Sequence, residues 1–196
     1  MRVLILDFDF FSAVGGGQTF YRRVVARHPE TKFFYPSRGP DLKGPVRRTL
    51  PGNVTPFAFD QFVDVSELLL PFAGQWPQDV HGATLCRIAL AWRGAGFDIV
   101  EIPSFFPAAH LVRPIFAAYG ITVGRVSLGL LGWLSVSTRN GYENEDARET
   151  SSALEEAERR SLGAADIRYT ISDLHAVENP AGELPIATID IRDALE

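Results

Sequence analysis

Apolar residues come along this chain in two rhythms. Short runs that are apolar on both faces, such as Val3-Leu4-Ile5-Leu6 and Phe33-Phe34-Tyr35, alternate with stretches in which apolar residues recur every three or four positions. The first kind suits a central strand of a parallel sheet, and the second suits the helices that cover it. In chain order the pattern predicts a strand over 2–8, a helix over 18–27 with Phe20, Val24 and Val25 on one side, a strand over 31–35 and another over 53–59. Residues 60–77 fit neither period, because Leu68-Leu69-Leu70 is too short to decide. A helix over 80–93 sets Leu85, Ile88, Ala89 and Trp92 on one face, and Gly94 and Gly96 end it. A strand over 97–102, a helix over 107–119 and a strand over 121–126 follow. Pro107 suits the first turn of that helix, whereas Pro114 should kink or split it.

Punctuation fills the intervals. Five prolines between Pro36 and Pro56, with the pair Arg47-Arg48, read as loop, and so does the polar stretch 137–149 around Asn140-Gly141. Ser152 and Glu155 have capping-box spacing for a helix whose stripe is Leu154, Ala157 and Leu162, with Glu155–Arg159 and Glu156–Arg160 as i,i+4 pairs. Strands over 166–172 and 185–191 close the series. Alternating strands and helices with short connections predict an α/β fold with a mostly parallel central sheet and helices on both faces, as one domain over 1–196.

Composition narrows the function classes. Of 196 residues, 46% are apolar and the formal net charge is −5, with the basic residues scattered in sequence, which disfavours a nucleic-acid or anionic-membrane surface. Cys86, the only cysteine, lies in an apolar-periodic helix and reads as a small buried hydrophobe, so a reducing, cytoplasmic setting is expected. The longest largely apolar run, 126–136, falls short of the roughly 20 residues that span a bilayer, so no integral membrane segment is expected. The first residues are too quickly charged for a secretory signal. The chain stops a few residues after a strand, as a piece of a longer polypeptide would.

The stretch with most chemical content is the first strand and the turn after it. Gly15-Gly16-Gly17 lets the main chain approach a diphosphate or a sugar ring, and the helix N-terminus that follows faces its N–H groups toward an anion. The turn is neither a Walker loop nor a dinucleotide fingerprint, since Phe20 stands where the third glycine would be. Asp7 and Asp9 form Asp-x-Asp at the strand end, where haloacid-dehalogenase-type phosphatases keep nucleophile and acid. That likeness stops at Phe10-Phe11, where the family carries a Gly-Thr-like pair, and the bland alternative is two carboxylates satisfied by turn N–H groups. None of the four histidines has metal-ligand spacing, and no Gly-x-Ser-x-Gly elbow occurs. No metal site is expected and no catalytic residue is assigned. Ser104-Phe105, His110 and Ser172-Asp173 all lie just past predicted strands, on the edge of the glycine turn if the strands are parallel. Hydroxyls and aromatics there suit a sugar, although helix capping explains Ser172 and Asp173 equally well.

Val-Leu-Ile-Leu followed by a Gly-Gly-Gly turn, then Gly96-Phe-Asp-Ile-Val-Glu101, Leu154-Glu-x-x-Glu158 and Ala165-Asp-Ile-Arg-Tyr-Thr-Ile-Ser172, resembles in order and spacing the amino-terminal half of a GT-B glycosyltransferase. The likeness is to the retaining group related to glycogen synthase and sucrose synthase. It implies a Rossmann-like three-layer sandwich, one half of a two-lobed architecture, which binds a small-molecule or glycan acceptor. A carboxyl-terminal lobe absent from this chain would hold the nucleotide-diphosphate sugar, with no cofactor beyond that donor. Carried over by residue, Gly15, Gly16, Gly17 and Gln18 match the loop toward the donor diphosphate, and Ser172 the strand-end serine at the cleft. Two departures stand. The family's histidine after the strand over 121–126 is replaced by Ser127-Leu128-Gly129, and the donor-lobe Glu-x7-Glu pair does not occur. A stand-alone binding module is the remaining alternative.

Overall fold

The computed structural model describes residues 1–59, 80–131, 145–171 and 187–188. Among these residues there are seven strands: β1 (Arg2–Ile5), β2 (Lys32–Ser37), β3 (Val54–Ala58), β4 (Gly96–Pro103), β5 (Thr122–Leu130), β6 (Ile167–Thr170) and the two-residue β7 (Ala187–Thr188). The helices are α1 (Gly16–Arg27), a 3₁₀ turn over Pro40–Leu42, α2 (Gly44–Thr49), α3 (Val80–Ala91), α4 (Ala109–Ala118) and α5 (Glu145–Ala164). The strand order is β3-β2-β1-β4-β5-β6-β7. β1 pairs in parallel with β2 and β4, β2 with β3, β5 with β6, and β6 with β7. The fold is thus α/β, a Rossmann-like parallel sheet flanked by helices. Its order reverses direction between β1 and β4, the position at which doubly wound folds bind ligands.

By contacts the chain divides into two compact units, Met1–Glu101 with Leu111–Arg125, and Ile102–His110 with Val126–Glu196. In the first, Val3, Leu4, Ile5 and Leu6 are all buried, as a strand covered on both faces requires. β3 ends the strand order and carries Pro56, which an edge position tolerates because no neighbour needs its missing N–H. Trp92 packs edge-on against Phe34, Phe57 and Phe97, with the Arg2 guanidinium over the rings of Phe34 and Phe97. Cys86 is fully buried as expected, and burial pushes its thiol upward. Gly120, at φ 70°, takes the left-handed turn after α4, where the amides of Gly120 and Ile121 bond back to Ala117 and Phe116.

Several sequence expectations need correction. The proline-rich stretch is not all loop, since it holds the 3₁₀ turn and α2; a proline near the start of each supplies a residue whose missing N–H costs nothing there. α4 passes Pro114 as one helix and starts at Ala109, two residues beyond Pro107. α5 begins at Glu145, so Ser152 lies inside it rather than at its cap, and 145–149 are helical; residues 137–144 lie outside the described set. Arg159 pairs with Glu156 rather than Glu155, leaving Glu156 bonded to both Arg159 and Arg160 at 2.6 and 2.7 Å. The C-terminal carbonyls of α1 are held by the Asn53 side chain, which donates to the carbonyls of Val25 and His28 at 3.2 and 3.0 Å. Among the described residues, no helix is long and apolar enough to cross a membrane.

Candidate functional site

The carboxyl end of β1 opens into the loop 6–15, and four side-chain clasps hold that loop. The first is Asp9, which takes the left-handed conformation at φ 49°, a region that aspartate tolerates better than most residues. That turn aims its carboxylate at the end of β2, where it accepts the Ser37 hydroxyl and the Arg38 amide, the latter at 3.0 and 3.2 Å. The second is Asp41, fully buried, whose Oδ2 accepts the Tyr35 hydroxyl at 2.7 Å and the Phe11 amide at 3.1 Å. Burial, then the Asp41 carboxyl, push the Tyr35 phenol upward, so it remains a donor. The third is Arg22 on α1, whose guanidinium donates to the carbonyls of Phe11 and Ala13 at 3.0 and 3.2 Å.

The fourth is Gln18. Its Nε2 donates to both carboxyl oxygens of Asp7, at 3.1 and 3.3 Å, and its Oε1 lies against the Gly15 α-carbon, where a Cβ would collide with it. Gly15 is extended, at φ 168°, a conformation open to any residue, so what demands glycine here is the folded-back Gln18. Asp7 is 2% exposed, and burial raises its pKa to about 6, with the Gln18 hydrogen bond opposing. Gly15 caps α1 with no side-chain hydrogen bond, and Gly16 and Gly17 form the first helical turn. Beside them Glu101 on β4 accepts the Tyr21 hydroxyl at 3.0 Å, and its carbonyl accepts the Leu6 amide at 2.8 Å.

The other predicted site residues belong to the second unit. Ser104 is buried and holds a turn, its Oγ accepting the Leu131 amide at 3.1 Å and its amide donating to the Gly129 carbonyl at 2.9 Å. Phe105 is exposed at 38%. His110 Nδ1 lies 3.2 Å from Ser161 Oγ, and the same hydroxyl accepts the Ala109 amide at 3.2 Å, so α5 caps the start of α4. Ser104, Pro107, Leu128, Leu130, Glu158 and Ser161 line a shallow surface hollow too tight to enclose a water molecule. Ser172 and Asp173 lie outside the described residues, as does His175.

Within the first unit the glycine turn, Gln18 and Asp7 thus come together, while Ser104 and His110 gather around Ser161 and the hollow in the second. Sequence reading missed Ser37, Arg38, Tyr35 and Asp41, because the clasp joins residues about 30 positions apart and each looks like ordinary loop chemistry. It also missed the burial of Glu158 and Ser161. Their spacing with Leu162 and Ala165 was a usable signal, since all four recur at helical period and all four are buried. No protein-family model matches the chain, and no curated protein matches it.

Proposed function

We propose that this chain is the acceptor-side lobe of a retaining glycosyltransferase of the GT-B kind. In this reading it works opposite a second lobe that holds a nucleotide-diphosphate sugar. What supports this is one coincidence of topology and sequence: the strand order reverses between β1 and β4, and at that reversal the triglycine start of α1 presents backbone amides that no side chain caps. Amides so oriented stabilise a leaving diphosphate without reorganisation at the moment of reaction. Glycine at 16, which is exposed, leaves no Cβ between those amides and a ligand. The loop 6–15 is held at four points by the chain's own side chains, which lowers the ordering cost of binding. Cations for the leaving group would come from the opposite lobe, so this lobe alone is inactive.

The phosphatase alternative requires Asp9 to reach a substrate as acid. Its carboxylate instead accepts Ser37 and Arg38 and faces the end of β2. The deciding experiment is an assay of the gene product carrying this chain against a panel of UDP-, GDP-, ADP- and dTDP-sugars with a mixed acceptor set. Acceptor-dependent nucleoside diphosphate release with retained anomeric configuration is the expected result, weakened by Gly16→Trp. Absence of release from every donor overturns the transferase assignment in favour of a binding module, and magnesium-dependent hydrolysis of an aryl phosphate abolished by Asp7→Asn would favour the phosphatase instead.

A further inference from the structure

At the carboxyl ends of β1, β2 and β3 lie Phe8, Arg38 and Phe59. The Arg38 guanidinium carbon sits 4.8 Å from the Phe8 ring centroid, and Phe8 packs on Phe59 with centroids 5.1 Å apart. Phe59 is buried, Phe8 half-buried and Arg38 exposed. A guanidinium lying on an aromatic face spends one face on the ring and keeps its in-plane N–H fork available. Among the described residues no carboxylate pairs with that fork. Among the described residues, the three aspartates of these strand ends are committed elsewhere: Asp7 to Gln18, Asp9 to Ser37 and the Arg38 backbone, and Asp41 to Tyr35 and Phe11.

The exposed charges of the segment that begins at Arg38 have one sign. From Arg38 to Arg48 the chain carries four exposed cations, Arg38, Lys43, Arg47 and Arg48, and its single acid, Asp41, is fully buried. Basic residues scattered in the sequence as a whole are here concentrated by a short turn and helix, in a chain whose net charge is −5. Asp9 fixes the backbone of Arg38 and Phe8 stacks its side chain, so much of the rotamer entropy of a six-atom arm is already lost before a ligand binds.

We infer that Arg38, stacked on Phe8 at the end of β2, is an acceptor-recognition residue that takes a phosphate group, so that the acceptor is a phosphorylated one. This rests on the transferase reading for the word acceptor, while the phosphate site itself stands on the geometry alone. A planar fork matches two phosphate oxygens, and Lys43, Arg47 and Arg48 supply the field that favours a doubly charged group.

The test is a backbone-amide NMR titration of this chain with glucose 6-phosphate, with glucose as control, and a parallel sedimentation assay with phosphatidylcholine vesicles with and without phosphatidic acid. Saturable shifts centred on residues 8–9 and 37–39 with the sugar phosphate, and none with glucose, are expected. Arg38→Gln should weaken the affinity about tenfold, the loss of one bidentate charge-assisted contact. Arg38→Lys, which keeps the charge and loses the fork, should lose most of the same factor, and Lys43→Gln about twofold. Binding to the phosphatidic acid vesicles alone, lost in Arg38→Gln, supports the same site with a lipid phosphate as its source. Shifts spread over 43–48 that Arg38→Gln leaves unchanged, or no binding to either probe, overturn it. No donor or turnover enters the measurement, so phosphate binding at Arg38 in a protein that releases no nucleotide would sink the transferase assignment and leave this one standing.

Discussion

The strand ends of the two units solve the same problem with different chemistry. After β1 and β2, three aspartates are buried at 2%, 8% and 0% exposure for Asp7, Asp9 and Asp41, and each serves as an acceptor for donors from another segment. After β4, the same task of holding a turn and a helix start falls to neutral hydroxyls, Ser104 and Ser161. Hydroxyls do this at small desolvation cost, whereas carboxyls must be compensated, and burial accordingly pushes the Asp7 pKa upward. Three buried carboxyls thus gather at one set of strand ends, whereas a single one, Glu158, lies beside the hydroxyls of the other among the described residues.

The sharpest break of this contrast is Asp41→Ala. It removes the acceptor from a buried donor, the Tyr35 hydroxyl, and a half-buried one, the Phe11 amide, and should destabilise the chain by about 4 kcal/mol in denaturant titration. Its counterpart in the second unit, Ser161→Ala, strips one capping hydroxyl and should cost about 1 kcal/mol. Equal losses would mean that the first set of strand ends is no more demanding than the second.

Asp7 offers the next largest effect, with the opposite sign. Its pKa is raised from 3.8 to about 6 in the folded chain, so the folded state holds its proton more tightly than the unfolded one. The stability it contributes is fully present below pH 3.8 and is lost as pH rises to about 6. Asp7→Asn, always neutral and still able to accept from Gln18, should therefore match the wild type near pH 3.5 and exceed it above pH 6 by up to about 3 kcal/mol. A variant no more stable at pH 7.5 than at pH 4 relative to wild type would show that Asp7 is not held under strain. Gain of stability with loss of ligand affinity is the signature of a group kept for function.

How much of this was legible beforehand follows from the range of each interaction. Periodicity located the strands and helices because burial on one face or two is written locally, and Val3 to Leu6 announces a central strand by itself. Gly15 to Gln18 and Asp7 stood out for the same reason. Pro114 and Ser152 misled because local propensity lost to packing: α4 runs on past a missing amide, and α5 extends seven residues before its apparent cap. Asp41 and Arg38 were invisible because their meaning depends on partners brought in by parallel pairing of β1 with β2, whose register no local pattern specifies.

The smallest predicted effect probes the contrast most finely, because it separates backbone freedom from side-chain crowding. At φ 168° an alanine at position 15 has no conformational penalty, yet its Cβ meets Gln18 Oε1. Gly15→Ala should therefore displace Gln18 from Asp7 and cost about 1 kcal/mol, the value of one hydrogen bond to a buried carboxyl. The Asp7 pKa should climb further, since the hydrogen bond that lowers it is lost. In a Gln18→Ala background the same Gly15→Ala change should cost nothing, because the obstructing amide is gone. A double-mutant cycle in denaturant reads the coupling directly. If Gly15→Ala costs as much without Gln18 as with it, the glycine answers to the backbone or to a ligand rather than to its neighbour, and Gln18 is then not the side chain that fixes this turn.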